Sequence, residues 1–185
     1  MPPFYTRNGD DGKTGLLGEG RISKAHPRVE TLGTLDEASA ALGFARAISQ
    51  DHHIRDLIQE IQRDLYNMMA EIAATPENTH HFQVLNEDRI LWLESQVDTL
   101  ASITKIPKNF ILPGDTPSEA AFSMARTIVR RAERRLAELQ ELGSINNPIL
   151  LKYINRLSTL CFIIELFETQ SNGNSSTIAK GKSKI

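Results

Sequence analysis

Two stretches of this sequence hold side chains suited to gripping a polyanion. The first is "TRNGDDGKTGLLGEG", Thr6 to Gly20, which combines five glycines, two adjacent aspartates and a lysine. Closely spaced glycines let consecutive backbone N–H groups point into one concavity, a shape that suits phosphate oxygens. Lys13, Arg21 and Lys24 can add positive charge, and Asp10 with Asp11 could hold a magnesium ion bridging phosphates. Gly12-Lys13-Thr14 imitates the end of a Walker A loop. That motif needs glycine where Arg7 stands, together with a strand before it and a helix after it, and this stretch has neither. The competing reading is a flexible N-terminal arm, because glycine and aspartate are common turn residues.

The second stretch is "SEAAFSMARTIVRRAERRL", Ser118 to Leu136. Projected at about 100° per residue, Phe122, Ala125, Val129, Ala132 and Leu136 form one apolar face. Arg126, Arg130 and Glu133 fall along its margin, Arg134 lies further round, and Arg131 and Arg135 lie toward the far side. Long side chains in such positions have covered stems and pooled heads. Guanidinium groups so close repel unless anions join them. Glu133 and Asp36 are candidate internal partners, and a polyphosphate matches the arginine fork equally well. The plain alternative is a solvated face laced with salt bridges. Just upstream, in "NFILPGDTPSEAA", Pro113-Gly114 marks a turn and Ser118 reads as an N-cap with Glu119 in the first turn. Phe110 beside that turn is either one more core aromatic or a ring that stacks on a large planar ligand.

These residues are positioned by helices. Apolar residues at three-and-four spacing predict helices over residues 28–49, 53–74, 87–102, 118–142 and 148–169. Pro76 stops the second, Gly143 stops the fourth, and Pro148 suits the first turn of the fifth. Short alternating runs typical of strands are absent. The expected fold is all-α, a five-helix up-and-down bundle with an irregular glycine-rich N-terminal arm. Residues 1–169 form one domain, of which 1–27 are the arm, and the polar, low-complexity tail 170–185 is expected to be disordered. The fifth helix, "LLKYINRLSTLCFIIELF", is apolar around most of its circumference, with a narrow polar strip through Lys152, Arg156 and Thr159. It sits either centrally or beneath a second subunit.

The chain of 185 residues has a formal net charge of −2, which disfavours a general nucleic-acid binder. One cysteine, Cys161, excludes an internal disulfide framework and fits a reducing, cytoplasmic setting. Neither a signal peptide nor a membrane-spanning run is visible. His52-His53 and His80-His81 resemble metal ligands, but adjacent helical positions diverge by about 100° and do not readily chelate one ion. Cys161 and Trp92 read as packing residues.

Taken in series, "YTRNGDDGKTGLLGEGRISK", "GTLDEASAALGFAR", "FILPGDTPSEAAFSMARTIVRRAERR" and "YINRLS" resemble PduO-type ATP:corrinoid adenosyltransferases, in the family's order and spacing from about Tyr5 to Phe167. The resemblance implies a homotrimer of helical bundles with active sites between subunits. It implies transfer of the 5′-deoxyadenosyl group of ATP to the cobalt of a reduced corrinoid, cob(I)alamin, with release of triphosphate, formation of adenosylcobalamin and a requirement for Mg2+. An electron-donating reductase is an implied partner. Thr6, Arg7, Gly9, Asp10, Gly12 and Thr14 match the segment that wraps the nucleotide's phosphates, and Lys24 matches a lysine near it. Arg130, Glu133 and Asn155 match nucleotide-site positions. Asp36 and Arg126 match a pair that bridges subunits, and Phe110 matches an aromatic that crowds the lower face of cobalt. The sequence departs from the pattern at Asn8, where threonine is common, at Asp115, where a second glycine is common, and at Thr159, where aspartate is common. Those departures keep open a non-catalytic corrinoid carrier or regulatory module. A helical scaffold that binds nothing small is the remaining alternative.

Overall fold

Each helix starts where a side chain satisfies an amide that the first helical turn leaves free. In the computed structural model, which describes Tyr5 and residues 7–180, short strands β1 (Lys13–Gly15) and β2 (Arg21–Ser23) precede α1 (Pro27–Ile48). His26 caps α1 by accepting from the Arg28 amide, and Pro27 occupies the first turn, where its missing N–H costs nothing. Asp51 caps α2 (His52–Ala73), Asn86 caps α3 (Glu87–Ile103), and Asn147 caps α5 (Pro148–Ser171). Between β3 (Ile111–Leu112) and α5 lies α4 (Pro117–Glu141), and β4 (Thr177–Ile178) closes the described chain. The cap of α4 is Thr116, not the expected Ser118, because Pro117 takes the first helical position and Thr116 then accepts from the Glu119 amide. Such caps contribute about 1 kcal/mol each.

The five-helix bundle expected from the sequence is the fold observed. Helix α4 lies between α1 and α5, α2 flanks α1, and α3 flanks α5. Leu35, Leu42, Ile58, Leu65, Phe122, Val129, Leu136 and Leu157 are wholly buried along the common core. The apolar circumference of α5 is explained inside one chain, since α3 and α4 cover it. Burial within the core also includes a polar knot, in which Tyr153 Oη and Arg89 Nε both donate to Asp64. No helix among the described residues is long and apolar enough to cross a membrane.

The structure differs from the sequence reading at both ends. The arm holds an antiparallel hairpin, β1 with β2, in place of a wholly irregular segment. Strands of three residues are too short to show an alternating pattern, and this hairpin is held by Arg21, which donates to both carboxylate oxygens of Asp11 at 2.8 and 2.9 Å. The arm is then fastened to the bundle. Leu17 donates to Ala73 O and accepts from the Thr75 amide. Gly18 follows at φ +143°, and a Cβ there would lie 2.3 Å from Thr75 Oγ1, so only glycine fits. At the other end, the tail expected to be disordered from residue 170 continues α5 to Ser171 and then returns as β4, antiparallel to β3. Its low apolar content hid this pairing, because the contacts that order it are backbone hydrogen bonds and a distant aspartate.

Candidate active site

The arginines of α4 differ in what holds them. Arg131 pairs with Glu37 on α1, Arg135 with Glu30 and Glu138, and Arg126 with Glu165 on α5. Arg134 donates to the carbonyl of Arg130 at 3.0 Å. The expected internal partners, Asp36 and Glu133, take none of these roles. Arg130 is exposed, and its side chain has no hydrogen bond or ion pair among the described residues. It stands on a groove of about 590 Å³ between α4 and α5, lined also by Glu133, Arg134, Lys152, Asn155 and Arg156. Here Asn155 Nδ2 donates to Glu133 at 2.7 Å and Arg156 donates to Asn155 Oδ1 at 3.0 Å, so Glu133 fixes the amide and the amide fixes the guanidinium. Lys152 and Arg156 are tethered at their backs to Glu87 and Glu94 on α3. The groove therefore presents two guanidinium groups without a carboxylate partner among the described residues, Arg134 held by a backbone carbonyl and Arg130 held by nothing, within a pre-ordered polar wall, an arrangement suited to an anionic ligand.

The hairpin of the arm forms a second concavity, lined by Asn8, Gly9, Lys13, Thr14, Gly15, Arg21 and Lys24. Lys24 Nζ donates to Gly9 O at 2.8 Å, and a Cβ on Gly9 would meet that ammonium at 2.9 Å, so the glycine admits the lysine. Gly12 turns the hairpin at φ +75°, and Arg7 also takes the left-handed conformation at φ +60°. Asp11 is committed to Arg21 and to the Lys13 amide, and the Arg21 guanidinium holds its carboxyl below the usual range. Of the two aspartates expected to hold magnesium, Asp11 is therefore spent on the hairpin, and Asp10 is exposed. Thr6 lies outside the described residues.

A third cavity, of about 370 Å³, is lined by Lys108, Asn109, Phe110, Ile111, Arg126 and Phe162. Phe110 is 90% exposed, so it is not a core aromatic. Arg126 closes one side, with its guanidinium 5.8 Å from the centre of the Phe162 ring. Its Nε donates to Glu165 at 3.2 Å, and Glu165 is 1% exposed. Burial pushes the Glu165 carboxyl up, against the pull of Arg126. Only the inner nitrogen of Arg126 makes that bond, so the outer end of the guanidinium faces the cavity without a hydrogen-bond partner among the described residues. Asp36 is exposed on α1 and makes no hydrogen bond or ion pair with Arg126 among the described residues.

The structure thus brings Arg130, Glu133 and Asn155 together, places Phe110 with Arg126, and places Gly9, Gly12, Thr14 and Lys24 in one hairpin. It does not bring these three groups into a single pocket: the concavities share no residue. Lys152, Phe162 and Glu165 carry more of the site than the sequence suggested. Glu165 had a visible signal, since a carboxylate inside an apolar helix needs a partner. The histidine pairs stay apart from this region. His80 and His81 stack on each other, and no cluster of three metal-ligating side chains occurs among the described residues. Cys161 is buried in the core, where its thiol is pushed up to about 12 and is inert.

Residues 4–168 match the family model for cobalamin adenosyltransferase. The chain belongs to the cobalamin adenosyltransferase family. Among family members, the corrinoid adenosyltransferase PduO of Citrobacter freundii is 38% identical over 178 residues, covering 96% of this chain and 53% of that protein. The chain thus spans about half the length of that relative. The corrinoid adenosyltransferase of Bacillus subtilis is 38% identical over 163 residues, covering 86% of this chain and 82% of the relative. A phenylalanine-to-alanine variant of the PduO-type ATP:corrinoid adenosyltransferase from Lactobacillus reuteri, complexed with cobalamin and ATP, superposes with a TM-score of 0.89 at 29% identity. That alignment covers 97% of this chain and all of the Lactobacillus chain. The Lactobacillus chain and this chain therefore share one fold.

Proposed function

We propose that the protein transfers the 5′-deoxyadenosyl group of ATP to the cobalt of cob(I)alamin, releasing triphosphate. The observation that carries this reading is Arg130, which stands on the α4–α5 groove with no hydrogen bond or ion pair among the described residues, while Arg126, Arg131 and Arg135 of that helix pair with carboxylates and Arg134 is held by the Arg130 carbonyl. The electron pair of cobalt(I) attacks C5′ of the ribose. A cobalt–carbon bond forms, the C5′–O bond breaks, and triphosphate leaves with the bonding pair. The nucleophile is the substrate's own metal, so no activated serine, cysteine or histidine is needed. The protein's share is position and charge. Arg130 offsets the charge that develops on the leaving phosphates, and Glu133 with Asn155 holds the nucleoside end in register. Gly9, Gly12, Thr14 and Lys24 wrap the phosphates from the other side, together with Arg7, Asp10 and Thr6. Phe110 and Phe162 wall the third cavity, where an apolar ring displaces the lower axial base of cobalt and eases its reduction. A separate electron-donating reductase supplies that electron.

The arm and the groove are separate within one chain, which supports a site completed between protomers of a homotrimer. Phe44 on α1 and Met124 on α4 are both exposed large apolar side chains, available to a neighbour. Asp36 lies on α1 one residue before Glu37, free to meet the outer end of a neighbour's Arg126. Bound Mg2+ supplies charge neutralisation to the leaving triphosphate. Among the arm's residues Asp10, exposed and not engaged like Asp11 with Arg21, would hold it, because magnesium on a nucleotide needs only one or two carboxylates beside the phosphates.

The test is anaerobic turnover with ATP, Mg2+ and a chemically reduced corrinoid, followed by the absorbance change as the carbon–cobalt bond forms. Folded protein that makes no adenosylcobalamin refutes the proposal. Tight corrinoid binding without product would instead identify a carrier.

A further inference from the structure

Asp115, a departure from the family pattern, has a specific partner here. Its Oδ2 accepts from the backbone N–H of Thr177 at 2.8 Å and its Oδ1 accepts from the Thr177 hydroxyl at 2.6 Å. Those two bonds hold its carboxyl below the usual range. Either side of this clasp, β4 pairs with β3, and the Ala179 amide donates to the carbonyl of Phe110 at 2.8 Å. From beneath, Glu119 of α4, itself 1% exposed, accepts from the amides of Gly114 and Asp115 at 2.7 and 3.0 Å. Residues 110–115 are thus fastened from two directions, by a buried carboxylate of the bundle and by the far C-terminal segment. A two-residue strand pair on the surface holds little by itself. The charge-assisted bonds of the clasp make it persistent. What it fixes is the backbone that carries Phe110, the most exposed large apolar side chain among the described residues.

We propose that Thr177–Ala179 acts as a strap that positions Phe110, with Asp115 and Thr177 as the positioning residues that set how the ring meets the corrinoid. This rests on the corrinoid reading of the Phe110–Arg126–Phe162 cavity. An exposed ring is useful against a flat ligand only if its backbone does not wander, since ordering it at the moment of binding would cost conformational entropy. The strap meets that cost in advance. It contributes no residue to the groove of Arg130, so its influence falls on the corrinoid and not on ATP.

The experiment compares full-length wild type, Thr177→Val, Asp115→Ala and Thr177→Ser. Each is loaded with ATP and cob(II)alamin, and the fraction of cobalt(II) lacking its lower ligand is read by electron paramagnetic resonance. Corrinoid and ATP kinetics are measured in parallel. Thr177→Val is expected to lower the ligand-free fraction and the corrinoid kcat/KM by about tenfold, the weight of one charge-assisted hydrogen bond, and Asp115→Ala, which removes both bonds, by at least as much. The KM for ATP and the melting temperature stay at wild-type values, and Thr177→Ser, which keeps the hydroxyl, restores both corrinoid readouts. Unchanged spectra and corrinoid kinetics in both disruptive variants overturn the strap. So does a loss shared equally by ATP affinity and melting temperature, which would mark a merely structural contact. Wild-type protein that forms no carbon–cobalt bond sinks the proposed function itself, whereas an active wild type with indifferent variants sinks only this inference.

Discussion

Replacing Arg130 by alanine separates the ligand role of the α4 arginines from their structural role. The side chain breaks no internal bond when removed, because it makes none among the described residues, and it is exposed. Its loss should therefore shift stability by no more than about 0.5 kcal/mol. A guanidinium fork on phosphate oxygens makes two charge-assisted hydrogen bonds, each worth about 1.5–3 kcal/mol. The groove is open to solvent, so the lower end applies, giving about 3 kcal/mol and a fall in kcat/KM of about a hundredfold. Of the neighbouring cations, Lys152 and Arg156 do not readily compensate. Lys152 is held 3.2 Å from Glu87 and Arg156 2.9 Å from Glu94, both directed toward α3. Arg130→Lys keeps the charge but not the fork and should recover only part of the loss. The assay is anaerobic formation of the carbon–cobalt bond under varied ATP, with melting temperature measured alongside. A variant within about threefold of wild-type kcat/KM at an unchanged melting temperature would refute the phosphate role.

Other substitutions are expected to behave differently. Arg126→Ala strands the buried Glu165 carboxylate, so it should cost about 3–5 kcal/mol and lower the melting temperature by about 10 °C. Arg126 pulls the Glu165 carboxyl down, so its loss raises that group further; the deficit should then shrink as acid neutralises Glu165, and a pH-independent deficit would contradict the pairing. Gly18→Ala forces a side chain into Thr75 at φ +143° and should unfasten the arm, raising the KM for ATP while the far-ultraviolet dichroism of the helices persists. An unaltered KM would show that arm docking is irrelevant to ATP. Glu71 is 5% exposed, and burial raises its carboxyl above the ordinary 4.5 despite a hydrogen bond from Asn147. Its folded form holds the proton more tightly, so its contribution to stability is complete below pH 4.5 and is lost as pH rises through the raised value. Glu71→Gln should therefore gain on wild type in denaturant midpoint as pH rises from about 4.5 to 8, and a constant difference would refute the shift.

Much of this protein was legible in its residues. Apolar periodicity, Pro76 after α2, Pro148 in a first turn and Gly143 after α4 were enough to place all five helices to within about two residues. Those signals are local: a helix forms its own hydrogen bonds within a few residues, so its sequence reports it directly. The motif order also pointed to Arg130, Glu133 and Asn155, which the fold gathers on one groove. What the sequence left undetermined were choices of partner among equals. Four carboxylates on three helices divide Arg126, Arg131 and Arg135 between them, and only packing shows that Arg130 and Arg134 are left without one among the described residues. The strand β4 lay in a tail of polar residues whose composition suggests disorder, because what orders it is long-range, namely backbone pairing with β3 and an aspartate 62 positions away. Whether α5 was buried by its own chain or by another depended likewise on where α3 and α4 fell. Periodicity fixes which face of a helix is apolar, but the identity of whatever covers that face is a long-range fact, settled only when the chain has closed on itself.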